Sequence, residues 1–105
     1  MRITVSHNKP RQEVMRAVDQ SFDDLFRGIC ILPLQIVNEK RAWNGSILNF
    51  SFDAKAGLLS TPIKGFVEVT DRDITVDADL GIFERLLPAK HTKATIEGRV
   101  RGLLT

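Results

Sequence analysis

Cysteine and histidine are scarce in this chain. The one thiol, Cys30, excludes an internal disulfide and any zinc site built on several cysteines. It sits in the apolar run "GICIL", the setting of an inert core thiol. The two histidines, His7 and His91, lie among polar neighbours at the edges of predicted elements. A metal site or a catalytic triad would need one of them to meet a carboxylate, a serine or Cys30. There is no Walker loop, no "GxGxxG" and no "GxSxG" turn, so neither a phosphate cradle nor a nucleophile elbow is written here. No cofactor is implied.

Long apolar runs are missing too. Nothing approaches the roughly 20 residues of a membrane span, and the start, "MRITVSHNK", has no apolar core of a secretory signal. A cytoplasmic location is expected. Charge of one sign is nowhere concentrated: 15 Lys and Arg stand against 13 Asp and Glu, a net of +2. Nucleic-acid binders cluster their basic residues on one face or arm, and no such block is present. No nucleic-acid partner is expected.

What is present reads as one domain over residues 1–105, with 43% hydrophobic and 27% charged residues. "RITVS" alternates as a short strand, Ile3 and Val5 on one side. Asn8 is a candidate N-cap, and Pro10 suits a first helical turn. From Pro10 to about Arg27, the residues Val14, Val18, Phe22, Leu25 and Ile29 form one helical stripe. Pro33 forbids a helix through "ICILPLQIV", and Leu34 to Trp43 reads as a strand. Asn44-Gly45 is a type I′ turn signal, and "SILNFSF" alternates with Leu48, Phe50 and Phe52 inward. A strict two-residue turn sets Arg41 opposite Leu48, a poor pair, so the Leu34–Phe52 hairpin needs a bulge or a longer loop. "DAKAGLLSTP" reads as an irregular loop carrying two exposed leucines, Leu58 and Leu59.

"FVEVTDRDITVDADL" supplies the strongest pattern. With Asp71-Arg72 as a two-residue turn, Val69 faces Ile74, Val67 faces Val76 and Gly65 faces Ala78. On the other face Glu68 meets Thr75, Phe66 meets Asp77 and Lys64 meets Asp79. Four aspartates fall in this stretch. Side chains at i and i+2 of a strand stand nearly 7 Å apart and project in parallel, from a rise of about 3.3 Å per residue. A hard cation needs convergent oxygens at about 2.0–2.6 Å. The acids therefore read as a solvated strand face that discourages edge pairing, not as a metal site.

Phe83, Leu86 and Leu87 make a short amphipathic turn, and Ile96, Val100 and Leu103 mark a closing helix weakened by Gly98 and Gly102. The order β-α-β-β-β-β-α implies an α+β two-layer sandwich: an antiparallel sheet of about five strands, with two helices on one face.

Taken together, "AWNGSILNFSF", "PIKGFVEVTDRDITVDADLGIFERLLP" and "ATIEGRV" resemble the polyhydroxyalkanoic acid system proteins, a small bacterial family also called polyhydroxyalkanoate granule-region proteins. The similarity rests on Trp43 and Gly45, on Phe50 and Phe52, on Gly65, Val67, Val69, Asp71, Ile74 and Val76, and on Leu86, Leu87 and Pro88. It implies a cytoplasmic protein linked to carbon-storage granules and brings no catalytic residues with it. The expected function is a non-catalytic accessory or binding protein, acting at a granule surface or on a granule-associated protein. Its interaction surface is expected at Trp43, Leu58, Leu59, Phe66, Ile82 and Phe83. Two alternatives stand beside it. One is an acyl carrier whose pocket is lined by Phe22, Phe26, Phe50 and Phe52. The other is a small thioester-processing enzyme using Cys30, His7 or His91. A homodimer is also expected, through a sheet edge or the outer sheet face, with Phe66 and Trp43 near its centre.

Overall fold

The structure, a computed structural model, describes residues 1–27 and 33–105. Ile29 and Cys30 lie outside them. Five strands, β1 (Arg2–Ser6), β2 (Gln35–Asn44), β3 (Ile47–Ala56), β4 (Leu59–Val69) and β5 (Asp73–Asp79), form one antiparallel sheet. Its order is β1-β5-β4-β3-β2, so the first strand returns beside the last. The other elements among the described residues are helices α1 (Arg11–Gln20), α2 (Phe83–Leu86) and α3 (Ala89–Leu103), with a 3-10 turn at Phe22–Leu25. α3 packs on β1 and the 3-10 turn, and α1 packs on α3 and β4. The two longer helices thus share one face of the sheet, as expected.

Alternation of apolar residues decides which face is covered. Ile3, Val5, Ile74, Val76, Val67, Val69, Ile63, Leu48, Phe50 and Phe52 all point toward the helices and are buried. Val14, Val18, Ile96 and Val100 close the core from above. The β4–β5 register is the one read from sequence, from Val69 opposite Ile74 to Lys64 opposite Asp79.

Three local expectations are corrected. First, α1 stops at Gln20, and Ser21, with φ −115°, starts the tighter 3-10 turn. Phe22 then meets Phe50 edge-on at 4.9 Å, and Phe26 lies 5.4 Å from Phe52. The aromatic packing outweighs continuation of a weak "QSFDD" helix. Pro10, not Asn8, is the N-cap, and its carbonyl accepts from the Glu13 and Val14 N–H groups.

Second, the β2–β3 turn is Gly45-Ser46, with Asn44 opposite Ile47 and Trp43 opposite Leu48. The expected bulge exists: the register slips between Val37 and Lys40, where Asn38 adopts φ 55°. Arg41 now faces Phe50 and lays its guanidinium 5.1 Å over the Phe22 ring, which resolves the poor pairing.

Third, "DAKAGLLSTP" is not a loop. β3 and β4 run on until Ala56 faces Leu59, joined by Gly57-Leu58. Gly57 has φ 62°, the first position of a type II′ turn, which glycine reaches without strain. The loop-like composition concealed a hairpin, because Ala54 and Ala56 are small enough to be fully buried there.

Candidate functional site

Four large apolar side chains among the described residues are exposed: Leu58, Leu59, Ile82 and Leu86. The fold gathers them at one end. Leu58 is the tip of the β3–β4 hairpin and is fully in solvent. Leu59 shares its strand face with Thr61 and Ile63, so it points toward the helical layer. Thr61 is buried, and its Oγ1 accepts the Ile82 N–H at 3.1 Å. That bond ties the hairpin to the start of α2. The Leu86 N–H bonds back to the Ile82 carbonyl at 3.2 Å, so both side chains lie on one side of the turn. A shallow depression of about 470 Å³, lined by Asp79, Gly81, Ile82, Glu84 and Arg85, adjoins this end.

Leu58, Leu59 and Ile82 are therefore exposed at the same end of the sheet, Leu59 two residues along β4 from the Thr61 that holds Ile82 and Leu58 at the tip beyond it. The other three expected surface residues are not. Phe83 is buried at 2% exposure, because it is the inward residue of α2, and it leaves the surface. Trp43 is half-buried on the helix side of β2, and its Nε1–H donates to Asp19 Oδ1 at 3.1 Å. It does not share a face with Phe66. Phe66 is half-buried on the outer face, between Asp77 and Asn49. Leu86 is the surface residue that sequence reasoning misses, since the apolar pattern groups it with Phe83 and Leu87. Its spacing of four from Ile82 is the available signal.

The aspartates of β5 each have a local partner. Asp73 Oδ1 accepts the Thr70 hydroxyl at 3.0 Å. Asp77 pairs with Arg2 at 3.1 Å. Asp79 Oδ1 accepts the Gly81 N–H at 2.9 Å and so shapes the entry to α2. Asp71, in the turn, lies 3.7 Å from Arg11. They brace strand ends and turns. No group of three or more His, Cys, Asp and Glu is placed to hold a metal among the described residues.

His7 is a strut. Its Nε2–H donates to the Thr70 carbonyl at 2.8 Å, and its Nδ1 accepts from the Lys9 N–H at 3.1 Å. Both ring nitrogens are thus engaged in joining the start of α1 to the β4–β5 turn. His91 is exposed on α3. Cys30, the candidate thiol nucleophile, lies outside the described residues.

One polar group has no signature in the sequence. Asp19, Asp23, Glu39 and Arg41 meet where the 3-10 turn crosses β2, beside a cavity of about 250 Å³. Asp23 Oδ1 is buried and has no hydrogen-bond partner among the described residues. A side-chain hydrogen bond to Asp23, then burial and the Asp23 charge, lift Glu39 above the usual carboxylate range, while Arg41 pulls it back. Protonation of Glu39 would supply a donor toward Asp23, which is why the Asp23 carboxylate favours the neutral form of Glu39. Residues so far apart in sequence leave no spacing to read.

The fold defines a two-layer α+β domain with an open sheet face and one apolar end. No described helix is long and apolar enough to cross a membrane. No protein-family model matches the chain, and the curated proteins and solved structures yield no match.

Proposed function

We propose that this protein is a non-catalytic accessory protein that docks on an apolar surface through Leu58, Leu59, Ile82 and Leu86. The supporting observation is that the exposed large apolar side chains of the described chain gather at one end, tied there by the Thr61–Ile82 bond. Exposed apolar clusters of this kind mark interaction sites. The likeness of "AWNGSILNFSF" and the "LLP" segment to polyhydroxyalkanoate-system proteins names the surface to test, a cytoplasmic storage granule or a protein coating it.

Full burial of one leucine is worth about 1.5–3 kcal/mol. Leu58→Asp and Ile82→Asp should each lower binding to purified polyhydroxyalkanoate granules at least about tenfold, since about 1.4 kcal/mol is tenfold. Granules stripped of protein separate polymer from coat protein as the target. Failure of the unmodified chain to co-sediment with either preparation, or equal sedimentation of the variants, refutes the reading.

The acyl-carrier alternative has less support. Phe22, Phe26, Phe50 and Phe52 pack on one another and are buried, where a carrier needs an opening. A cavity between α2, α3 and the start of β1 measures about 240 Å³ and is lined by Leu80, Leu87, Ala89 and Thr92. That is below the roughly 300 Å³ at which small-molecule pockets begin.

A further inference from the structure

The sheet has two edges, and neither offers a second chain a regular ladder. β1 is five residues long. β2 is broken by its bulge between Val37 and Lys40, a device that spoils edge pairing. The outer face is different, because no described element lies over it. At its centre stands Phe66 on β4, with Lys64 two residues before it and Glu68 two residues after, all on one side. Positions on one face are nearly 7 Å apart at a rise of about 3.3 Å per residue, so Lys64 and Glu68 stand about 13 Å apart. They cannot pair with each other, and neither has an ion-pair partner among the described residues.

We propose that this face is the interface of a homodimer. Its two-fold axis lies between two stacked sheets, at right angles to the strands, and passes over Phe66. This symmetry sets Phe66 against its own copy and Lys64 of each chain against Glu68 of the other, twice over. Ile47 and Ser51 on β3 exchange places in the same way. Asp77 approaches its own image, but Arg2 already neutralises it at 3.1 Å. A strand-parallel axis would bring no such opposite charges together around Phe66.

The footprint is adequate for a weak dimer. Five strands about 4.8 Å apart, and about seven residues at 3.3 Å, give roughly 550 Å² per copy. Stable interfaces take about 800 Å² per partner, and this one is polar outside Phe66, Ile47 and Ala42. Association is therefore concentration-dependent and reversible.

Sedimentation equilibrium from roughly 1 µM to 1 mM tests this, the range in which a small, wet interface half-forms. The unmodified chain should move from 11.8 kDa toward twice that mass. Glu68→Lys alone and Lys64→Glu alone each place like charges across the axis and should weaken the dimer about tenfold or more. Mixing the two single variants restores opposite charges at both contacts, and so does the double exchange in one chain. Both should recover the original mass curve, which also shows that the variants fold. A chain that stays monomeric throughout overturns the proposal, as does a dimer indifferent to either reversal. Loss of the dimer without recovery on mixing overturns the proposed symmetry. Granule binding is read separately and rests on other residues, so either conclusion can fail alone.

Discussion

Gly65→Ala and Gly98→Ala add the same methyl group and should have opposite effects. At Gly65 on β4, an added Cβ would run into the Asp77 carbonyl oxygen and stand 2.8 Å from the Ala78 Cα. Carbon–oxygen contacts settle at about 3.3–3.6 Å, so the two strands would have to part by more than 1 Å. The ladder between Lys64–Phe66 and Asp77–Asp79 cannot stretch that far. Two or three backbone hydrogen bonds at about 1 kcal/mol each, with disturbed packing around buried Ala78, give a loss of about 3–4 kcal/mol. That is a large share of the roughly 5–15 kcal/mol by which such domains are stable. At Gly98 on α3, an added Cβ meets nothing within 4 Å. Only the backbone entropy of glycine is relieved, a gain of about 1 kcal/mol. Urea unfolding of both variants, followed by far-UV circular dichroism, measures the contrast. A Gly65→Ala protein within about 1 kcal/mol of the parent refutes the close approach of β4 and β5. A destabilised Gly98→Ala protein refutes the open face of α3.

Glu39 carries a second prediction. Its folded pKa lies above the unfolded value of 4.5, so the folded chain holds the proton more tightly. The stability of the Asp23 contact is full below that value and is lost as pH rises through the raised one. Glu39→Gln keeps a neutral donor toward Asp23 and should gain on the parent as pH rises toward neutrality. Urea midpoints from mildly acidic to neutral pH check this, and a constant difference between the two proteins refutes it. The bulge gives a third. Asn38 sits at φ 55°, and its Nδ2 donates to Asp53 Oδ2 at 2.9 Å on the surface. Asn38→Gly should be neutral within about 0.5 kcal/mol, whereas Asn38→Val should cost about 1–2 kcal/mol of left-handed strain. Equal midpoints for the two variants would contradict that backbone assignment.

Period-2 alternation and two-residue turn chemistry are local, and they determined much of this protein on their own. From Phe66 to Leu80 they set the β4–β5 register residue by residue, because a slip of one would turn every valine to the solvent. The single apolar stripes of α1 and α3 were enough to place both helices on one sheet face. Where local signals were weak or conflicting, the tertiary structure decided. The small residues of "DAKAG" look like loop until Ala54 and Ala56 find a core to enter. Helix α1 ends early because Phe22 gains more against Phe50 than against another helical turn. Candidate surface residues divided on the same principle. Leu58 is exposed by its place at a turn tip, which sequence can indicate. Phe83, Trp43 and Leu86 depend on what each helix or strand happens to face. Asp23 and Glu39, 16 positions apart, meet only because the 3-10 turn folds over β2. Patterning along the chain states which side of an element is apolar; only the packing of elements states which apolar sides are left uncovered.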